Sequence, residues 1–337
     1  MGSRAAGAPS SSLFYGKISM SILTNADDLT HPPANDDPYW TETVWFGANV
    51  PERRLGVNFF MLLRTNLGIM VPSLFVWGPD GEEIWSMPYQ RTLWHALMPK
   101  DHDATNFKLP SGFEVERINW LDEYRVRFED GDRIKLNLHF KSLSPAVPYG
   151  VKNGYGHLDQ YGHVTGEIVL DGEHISVDCL DMRDRTWAPR RETSQTARIG
   201  YTYGASSPTS GFQIATKWYD DEPNDRVMLG YLLTPNGNVV IRNGARFVDR
   251  DDEGRPVGVR VELATDDGET HVARGKVVSR FAMPTTPYFV WMSLVEWEFP
   301  DGSRGWGQDQ DTWAPAKFRE VRRAIRAEKT LRGRMKA

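Results

Sequence analysis

From residue 42 onward, apart from a less regular stretch near 86–112, the chain is a succession of short β-branched and aromatic runs, most of them ended by a Gly-containing turn. Ile134, Leu136, Leu138 and Phe140 alternate with Lys135, Asn137, His139 and Lys141, a period of two that gives a strand one dry face and one wet one. Turn signals recur at Asn66–Gly68, Asp130-Gly131-Asp132, Asp171-Gly172, Asn236-Gly237, Asp267-Gly268 and Asp301-Gly302. Evenly spaced short strands of this kind build sandwiches and barrels. Only the end of the chain departs from the pattern, where Phe318, Val321, Ala324 and Ile325 recur at helical spacing.

This predicts an all-β protein made of two tandem antiparallel β-barrel or sandwich domains with a C-terminal helix. The Pro- and Gly-rich stretch 145–156 reads as the connection between them. The expected organisation is a flexible leader over 1–34, β domains over 35–150 and 151–315, and a basic helix over 316–337. Residues 1–19 are small and polar, and Met20 is a candidate start.

Composition narrows the function. At 337 residues the chain has ample material for two cores, and 12 Trp, 12 Tyr and 15 Phe suit sheets and apolar cavities. A net charge of −5 provides no basic footprint for nucleic acid, and the basic tail reads as a solvated helix face. One cysteine, Cys179, excludes an internal disulfide and any cysteine-based zinc cluster, which suits a reducing, cytoplasmic setting. No apolar run is long enough to span a membrane as a helix, and no secretory signal pattern opens the chain. A P-loop, a dinucleotide-binding glycine fingerprint and a nucleophile elbow are all missing from the sequence.

The central stretch carries the densest charge: Asp181, Arg183, Asp184, Arg185, Arg190 and Arg191 around Trp187. One reading is a salt-bridged buckle between domains, since such charges are costly to bury unless paired. The other turns part of the cluster toward a cavity, with Asp181 or Asp184 as proton donor and Arg185 as an oxygen clamp. Just upstream, HLDQYGH can set His157, Asp159, Tyr161 and His163 on one strand face, as an acid/base or metal site or as a polar hairpin edge. We expect no metal.

A second constellation lies near the end, where Glu296, Glu298, Asp309 and Asp311 accompany Trp291, Trp297, Trp306 and Trp313. On a strand, Gln308 and Gln310 share one face, and Asp309 and Asp311 the other. A carboxyl such as Asp309 against indoles would stay protonated and act as an acid; the alternative is an aromatic core with surface acids. Trp94 and His95, in an irregular part of the first half, are candidates to project into a cavity.

The central DMRDRTWAPR resembles the Asp-His-Ser-Trp-Gly motif, closely followed by Arg, of the hydroxyneurosporene synthase (carotenoid hydratase) superfamily. DQYGHVTGEIVLDGEHISVD looks like that family's approach to the motif, and ETVWFGANVPERRLGVNFFMLLRTNLG resembles its opening strand and turn. The similarity runs over most of 36–313. Asp184 and Trp187 match the motif, whereas Arg185, Thr186 and Ala188 stand in place of its His, Ser and Gly. Tyr219 and Asp221 are a loose counterpart of a downstream Tyr-x-Asp element. The resemblance implies tandem lipocalin-like domains with a hydrophobic ligand in or between them.

The resulting expectation is a cofactor-independent hydratase, dehydratase or isomerase, thus a lyase or isomerase, acting on a hydrophobic terpenoid, steroid or polyketide-like molecule. Asp184, Arg185, Asp181 and Asp309 are the candidate catalytic residues; Trp187, Tyr219, Trp291, Trp297, Trp306, Trp94 and His95 the candidate ligand-binding ones. Two alternatives stay open: a non-catalytic carrier of such a ligand, and a pericyclase that works by shape alone.

Overall fold

The computed structural model describes residues 23–152, 154–190, 198–219, 222–266, 268–285 and 288–335. Expectations placed on the leader up to residue 22, on Arg191, on Asp221 and on Asp267 lie outside the described residues.

Twelve strands form the first sheet: β1 (Trp40–Val50), β2 (Leu55–Arg64), β3 (Ile69–Trp77), β4 (Tyr89–Thr92), β5 (Ala96–Leu97), β6 (Phe107–Lys108), β7 (Glu114–Asn119), β8 (Glu123–Asp130), β9 (Ile134–Ser142), β10 (Val147–Lys152), β11 (Tyr155–Leu170) and β12 (Glu173–Pro189). The main path runs β4-β3-β2-β1-β12-β11-β9-β8-β7-β6, with β10 on β11 and β5 on β3. The sheet is open but curls until its ends meet: Tyr89 donates its hydroxyl to Asp130 at 2.7 Å, and Phe59 packs against Phe113. Its concave face is filled by apolar side chains from nearly every strand, among them Phe59, Leu63, Phe113, Val126, Leu136, Phe140 and Ile168. Each such Val, Leu, Ile or Phe contributes roughly 1.5–3 kcal/mol by leaving water.

Eight strands form a closed antiparallel barrel: β13 (Ile199–Ser207), β14 (Ser210–Trp218), β15 (Asp225–Thr234), β16 (Gly237–Arg250), β17 (Pro256–Thr265), β18 (Thr270–Pro284), β19 (Phe289–Glu298) and β20 (Arg304–Trp313). Closure leaves no edge strand. The barrel's apolar half is packed by Phe212, Ile214, Leu232, Val261, Leu263, Trp297 and Phe299. Its other half holds a buried ionic cluster, with Arg246 between Asp225, Asp309 and Asp311 and with Arg198 and Arg250 beside it.

Helix α1 (Pro315–Met335) lays Phe318 on Phe289, Trp291 and Trp313. Its basic side chains Arg322, Arg326 and Lys329 pair with Glu253 and Asp252. The basic face is thus partly committed within the chain.

Two expectations change. The hairpin over 155–189, read as the start of the second domain, belongs to the first sheet: β11 pairs with β9, and β12 with β1. Its strands are long enough to form the back wall of that sheet, so the chain leaves it between Pro189 and Ile199. The leader expected to reach residue 34 is docked over its described part: Asp28 is fully buried, held by Arg183 and by the hydroxyl of Tyr124.

Candidate active site between the sheet and the barrel

Strand alternation divides the central charged run into two. On β12 the even positions Met182, Asp184 and Thr186 turn toward the barrel, whereas Arg183, Arg185 and Trp187 turn toward the concave side of the first sheet. Antiparallel register then sets neighbours beside Asp184 on both sides: Trp45 of β1 and Asp159 of β11 are its cross-strand partners. In the adjoining row His157 faces Thr186, and Tyr149 of β10 faces His157. The barrel contributes Tyr201 and Tyr203 from β13, Gln213 from β14 and Tyr231 from β15, the last three being successive cross-strand partners.

These side chains meet at an aromatic, polar seam between the sheet and the barrel, a crevice packed shut by Trp45, Tyr149, Tyr161, Met182, Tyr203 and Tyr231 and reached by solvent only along His157, Asp184 and Tyr201. The two nitrogens of His157 lie 2.9 Å from Asp159 Oδ1 and 2.8 Å from Thr186 Oγ1. Tyr201 donates its hydroxyl to the same Asp159 oxygen at 2.5 Å. Trp45 meets Tyr201 and Tyr203 edge to face, with ring centres 6.1 and 5.7 Å away, and Tyr149 stacks on His157. His157, Asp184 and Tyr201 remain partly open to solvent, while Asp159, Tyr149, Tyr203 and Tyr231 are buried.

Electrostatics separate the two carboxyls. Burial pushes the Asp184 carboxyl up to about 7; His157 opposes the rise and the Asp159 charge adds to it. Burial disfavours the His157 imidazolium, but the charge and hydrogen bond of Asp159 outweigh it and raise the ring above its ordinary value. The result is a His157 ring drawn toward its charged form by Asp159, beside an Asp184 carboxyl that burial pushes up to about 7. Among the described residues Asp184 receives no hydrogen bond, so its carboxyl stays available to a ligand.

Residues 24–313 match the family model described as "Domain of unknown function (DUF7064)". The chain belongs to that family. A comparison with curated proteins gives no match. Among solved structures, this DUF7064 chain is similar to kievitone hydratase from Nectria haematococca at 9% identity, with 89% of this chain and 98% of the other covered and a TM-score of 0.55. It is also similar to a protein of Nitrosomonas europaea provisionally described as AttH, at 15% identity, with 80% and 91% covered and a TM-score of 0.54. Both comparisons concern the fold.

The other sequence-derived candidates of the DUF7064 chain scatter. Asp181 is buried near the crevice and pushed up to about 6 by burial, against hydrogen bonds from Tyr203, Asn49 and the Met182 amide. Those bonds occupy both oxygens. The site tolerates the carboxyl because position 47 is Gly: a Cβ there would lie 2.2 Å from Asp181 Oδ1. Arg185 pairs with Glu42 at 2.7 Å and donates to the carbonyls of Asp27 and Leu29, while Trp187 stacks on His31 with ring centres 4.1 Å apart. Both fasten the segment ahead of β1 to the first sheet.

Asp309 lies inside the barrel, where Arg246 grips both its oxygens at 2.8 and 2.7 Å and Thr202 donates to one of them. The expected indole-lined acid is therefore replaced by an arginine-bound one, and in Asp311 the Arg250, Arg246 and Arg198 charges overcome burial and hold the carboxyl well below its ordinary range. Trp297 is barrel core, Trp291 lies under α1, and Trp306 packs between barrel and sheet. Tyr219 sits at the end of β14 between Lys217 and Arg226. Trp94 and His95 are exposed at a turn where His95 has φ 57°, instead of projecting into a cavity.

Two recesses, of about 350 and 250 Å³, open on the barrel around Arg226 and Glu262 and around Phe212 and Phe299. Neither includes a residue of the crevice. Among the described residues no group of three or more His, Cys, Asp or Glu is arranged to hold a metal, and no helix is long and apolar enough to cross a membrane. The crevice residues missed by sequence reasoning, Trp45, Tyr149, Tyr201, Tyr203, Gln213 and Tyr231, come from β1, β10 and the consecutive strands β13, β14 and β15. Only strand register and the docking of barrel on sheet bring them together.

Proposed function

We propose that the crevice performs an acid-catalysed hydration, dehydration or isomerisation of a hydrophobic small molecule, with Asp184 as the acid. The carrying observation is a half-buried carboxyl that burial pushes up to about 7 beside the His157–Asp159 pair and between aromatic walls. In the dehydration direction the Asp184 proton moves to the substrate's hydroxyl oxygen, the C–O bond breaks and water leaves. A proton on the neighbouring carbon then returns to the Asp184 carboxylate as the C=C bond forms. Hydration is the reverse, and isomerisation is protonation and deprotonation at different carbons.

The faces of Trp45 and Tyr149 would stabilise the positive charge between the two steps. Holding bulk water away protects such a cation. A positioned general acid contributes on the order of 10²–10⁴-fold in rate. The likeness in fold to a hydratase supports the reading, although the two sequences are only 9% identical.

The alternative is a non-catalytic carrier, favoured by the internal pairing of Asp181 with Tyr203 and Asn49 and of Arg185 with Glu42. Mass spectrometry of apolar molecules co-purifying with the protein would supply a test compound. Asp184→Asn is expected to bind that compound and fail to convert it. Unchanged conversion would remove the acid role, and no conversion by the wild type would favour the carrier.

A further inference from the structure

Two segments on the concave side of the first sheet are clasped to each other by reciprocal bonds. Thr30, ahead of β1, donates to the carbonyl of His102 at 2.9 Å, and Thr105 donates to the carbonyl of Asp28 at 2.9 Å. Apolar side chains seat the second segment on the core of the sheet, with Leu93, Ala96, Met98 and Phe107 packed against it. The His102 ring lies beside the clasp, 5.3 Å from the Phe107 ring, and both of its nitrogens are buried without a hydrogen-bond partner.

The charged groups around this ring are committed to others. On its own segment Asp103 is gripped by Arg117 of β7 at 3.0 and 2.9 Å. On β12, Arg185 pairs with Glu42 of β1 and donates to the carbonyls of Asp27 and Leu29, while Arg183 reaches Asp28. Ahead of β1, His31 stacks on Trp187 and lies 3.9 Å from Asp27. An imidazolium at His102 would therefore sit buried, with the Arg185 charge near it and Asp103 already shared with Arg117. Burial disfavours the charged ring most, Asp103 favours it and Arg185 opposes it, and the balance holds the group down to about 4.

We propose that His102 is the sensing group of an acid-released latch: when its ring takes a proton from solvent, segment 98–108 leaves the first sheet while the segment ahead of β1 stays anchored. Release uncovers the apolar concave face beneath Met98 and Phe107. The anchor is Asp28. Burial works against its charge, but Arg183, the Tyr124 hydroxyl and the Leu121 amide outweigh it and hold the carboxyl below its ordinary value, so it stays charged while His102 titrates. The sign is fixed by linkage. A freed ring returns to the ordinary 6.5, so the open form binds the proton more readily and opening is favoured as pH falls from about 6.5 toward 4.

Amide hydrogen exchange, read by mass spectrometry and corrected for the intrinsic effect of pH, tests the latch in the full chain. Between pH 7.5 and 5 the protection of 98–108 is expected to fall by about tenfold or more, and that of 24–31 to change by less than about threefold. His102→Leu should abolish the pH dependence of 98–108, and His102→Phe is the second variant should the first not fold. Asp184→Asn, which removes the acid at the seam, should leave the response as in the wild type. Protection of 98–108 that does not change with pH, an equal loss over 24–31, a folded His102 variant that keeps the wild-type response, or loss of that response in Asp184→Asn each overturns the proposal.

Discussion

Asp159 and Asp184 are direct cross-strand partners on β11 and β12, yet one carboxyl is held by His157 and Tyr201 while the other receives no hydrogen bond. Two like charges so placed on a buried face would repel; His157 stands beside Asp159, and burial together with the Asp159 charge raises the Asp184 carboxyl. The division sets the expected pH response. Conversion should be fastest where Asp184 is protonated and His157 charged, and should fall as pH rises through about 7. A rate profile of the wild type on a converted ligand checks this, and a profile that rises through neutrality would speak against Asp184 as the acid.

Stability should change in the same window. The folded-state value of Asp184 lies above its ordinary 3.8, so the folded chain holds a proton that the unfolded chain releases between those values. Burial of the charge therefore penalises the fold increasingly as pH rises from about 4, in full above about 7. Asp184→Asn is expected to stabilise by roughly 1–3 kcal/mol near pH 8, a figure reduced for the partial exposure of the group, and by little near pH 4. Urea unfolding at the two pH values measures the difference.

Removing Arg246 should be severe. It would leave Asp225, Asp309 and Asp311 buried together in the barrel with Arg198 and Arg250 alone against them. Arg246→Met is expected to cost about 3–5 kcal/mol, whereas Asp309→Asn should lower stability and leave the pH profile of conversion in place. A shifted profile in Asp309→Asn would return that residue to the chemistry.

Gly47→Ala tests the packing behind the crevice. The new methyl would collide with Asp181 Oδ1 and displace its bonds to Tyr203 and Asn49. A loss of about 1–3 kcal/mol is expected, read as a lowered urea midpoint. A neutral effect would mean that Asp181 is held less firmly than its three hydrogen bonds imply.

Arg185 and Trp187 are expected to act on the segment ahead of β1. Arg185→Ala removes one partner of buried Glu42, which His31 also contacts, and two bonds to carbonyls of Asp27 and Leu29. Amide exchange over residues 24–31 should accelerate by about tenfold or more while the barrel stays protected. Unchanged exchange would show that other contacts fasten this segment.

Much of the fold was legible in the residues. Alternation such as Ile134 to Phe140 marked the strands, Asp-Gly and Asn-Gly marked their turns, and Phe318, Val321 and Ile325 marked the one α-helix among the described residues. Where the chain changes sheet was not legible. The Pro- and Gly-rich stretch 145–156 resembles a linker but contains an edge strand, and no local signal tells a hairpin which sheet it will join. The same alternation that named the strands could have shown that Asp184 cannot share a face with Arg185 or Trp187. His157 and Asp159 were visible as a strand face, whereas their partner Tyr201 and the donors of Gln213 and Tyr231 depend on register between distant strands. The late carboxylates misled because the indoles beside them in sequence point elsewhere, and the arginine that meets Asp309 lies four strands away on β16.

The most direct test is a carbon-detected NMR titration of the Asp side chains in the wild type and in Asp184→Asn. One carboxyl signal, absent from the variant, should titrate near pH 7. A signal assigned to Asp184 that titrates at its ordinary value of 3.8 would contradict the acid on which the account depends.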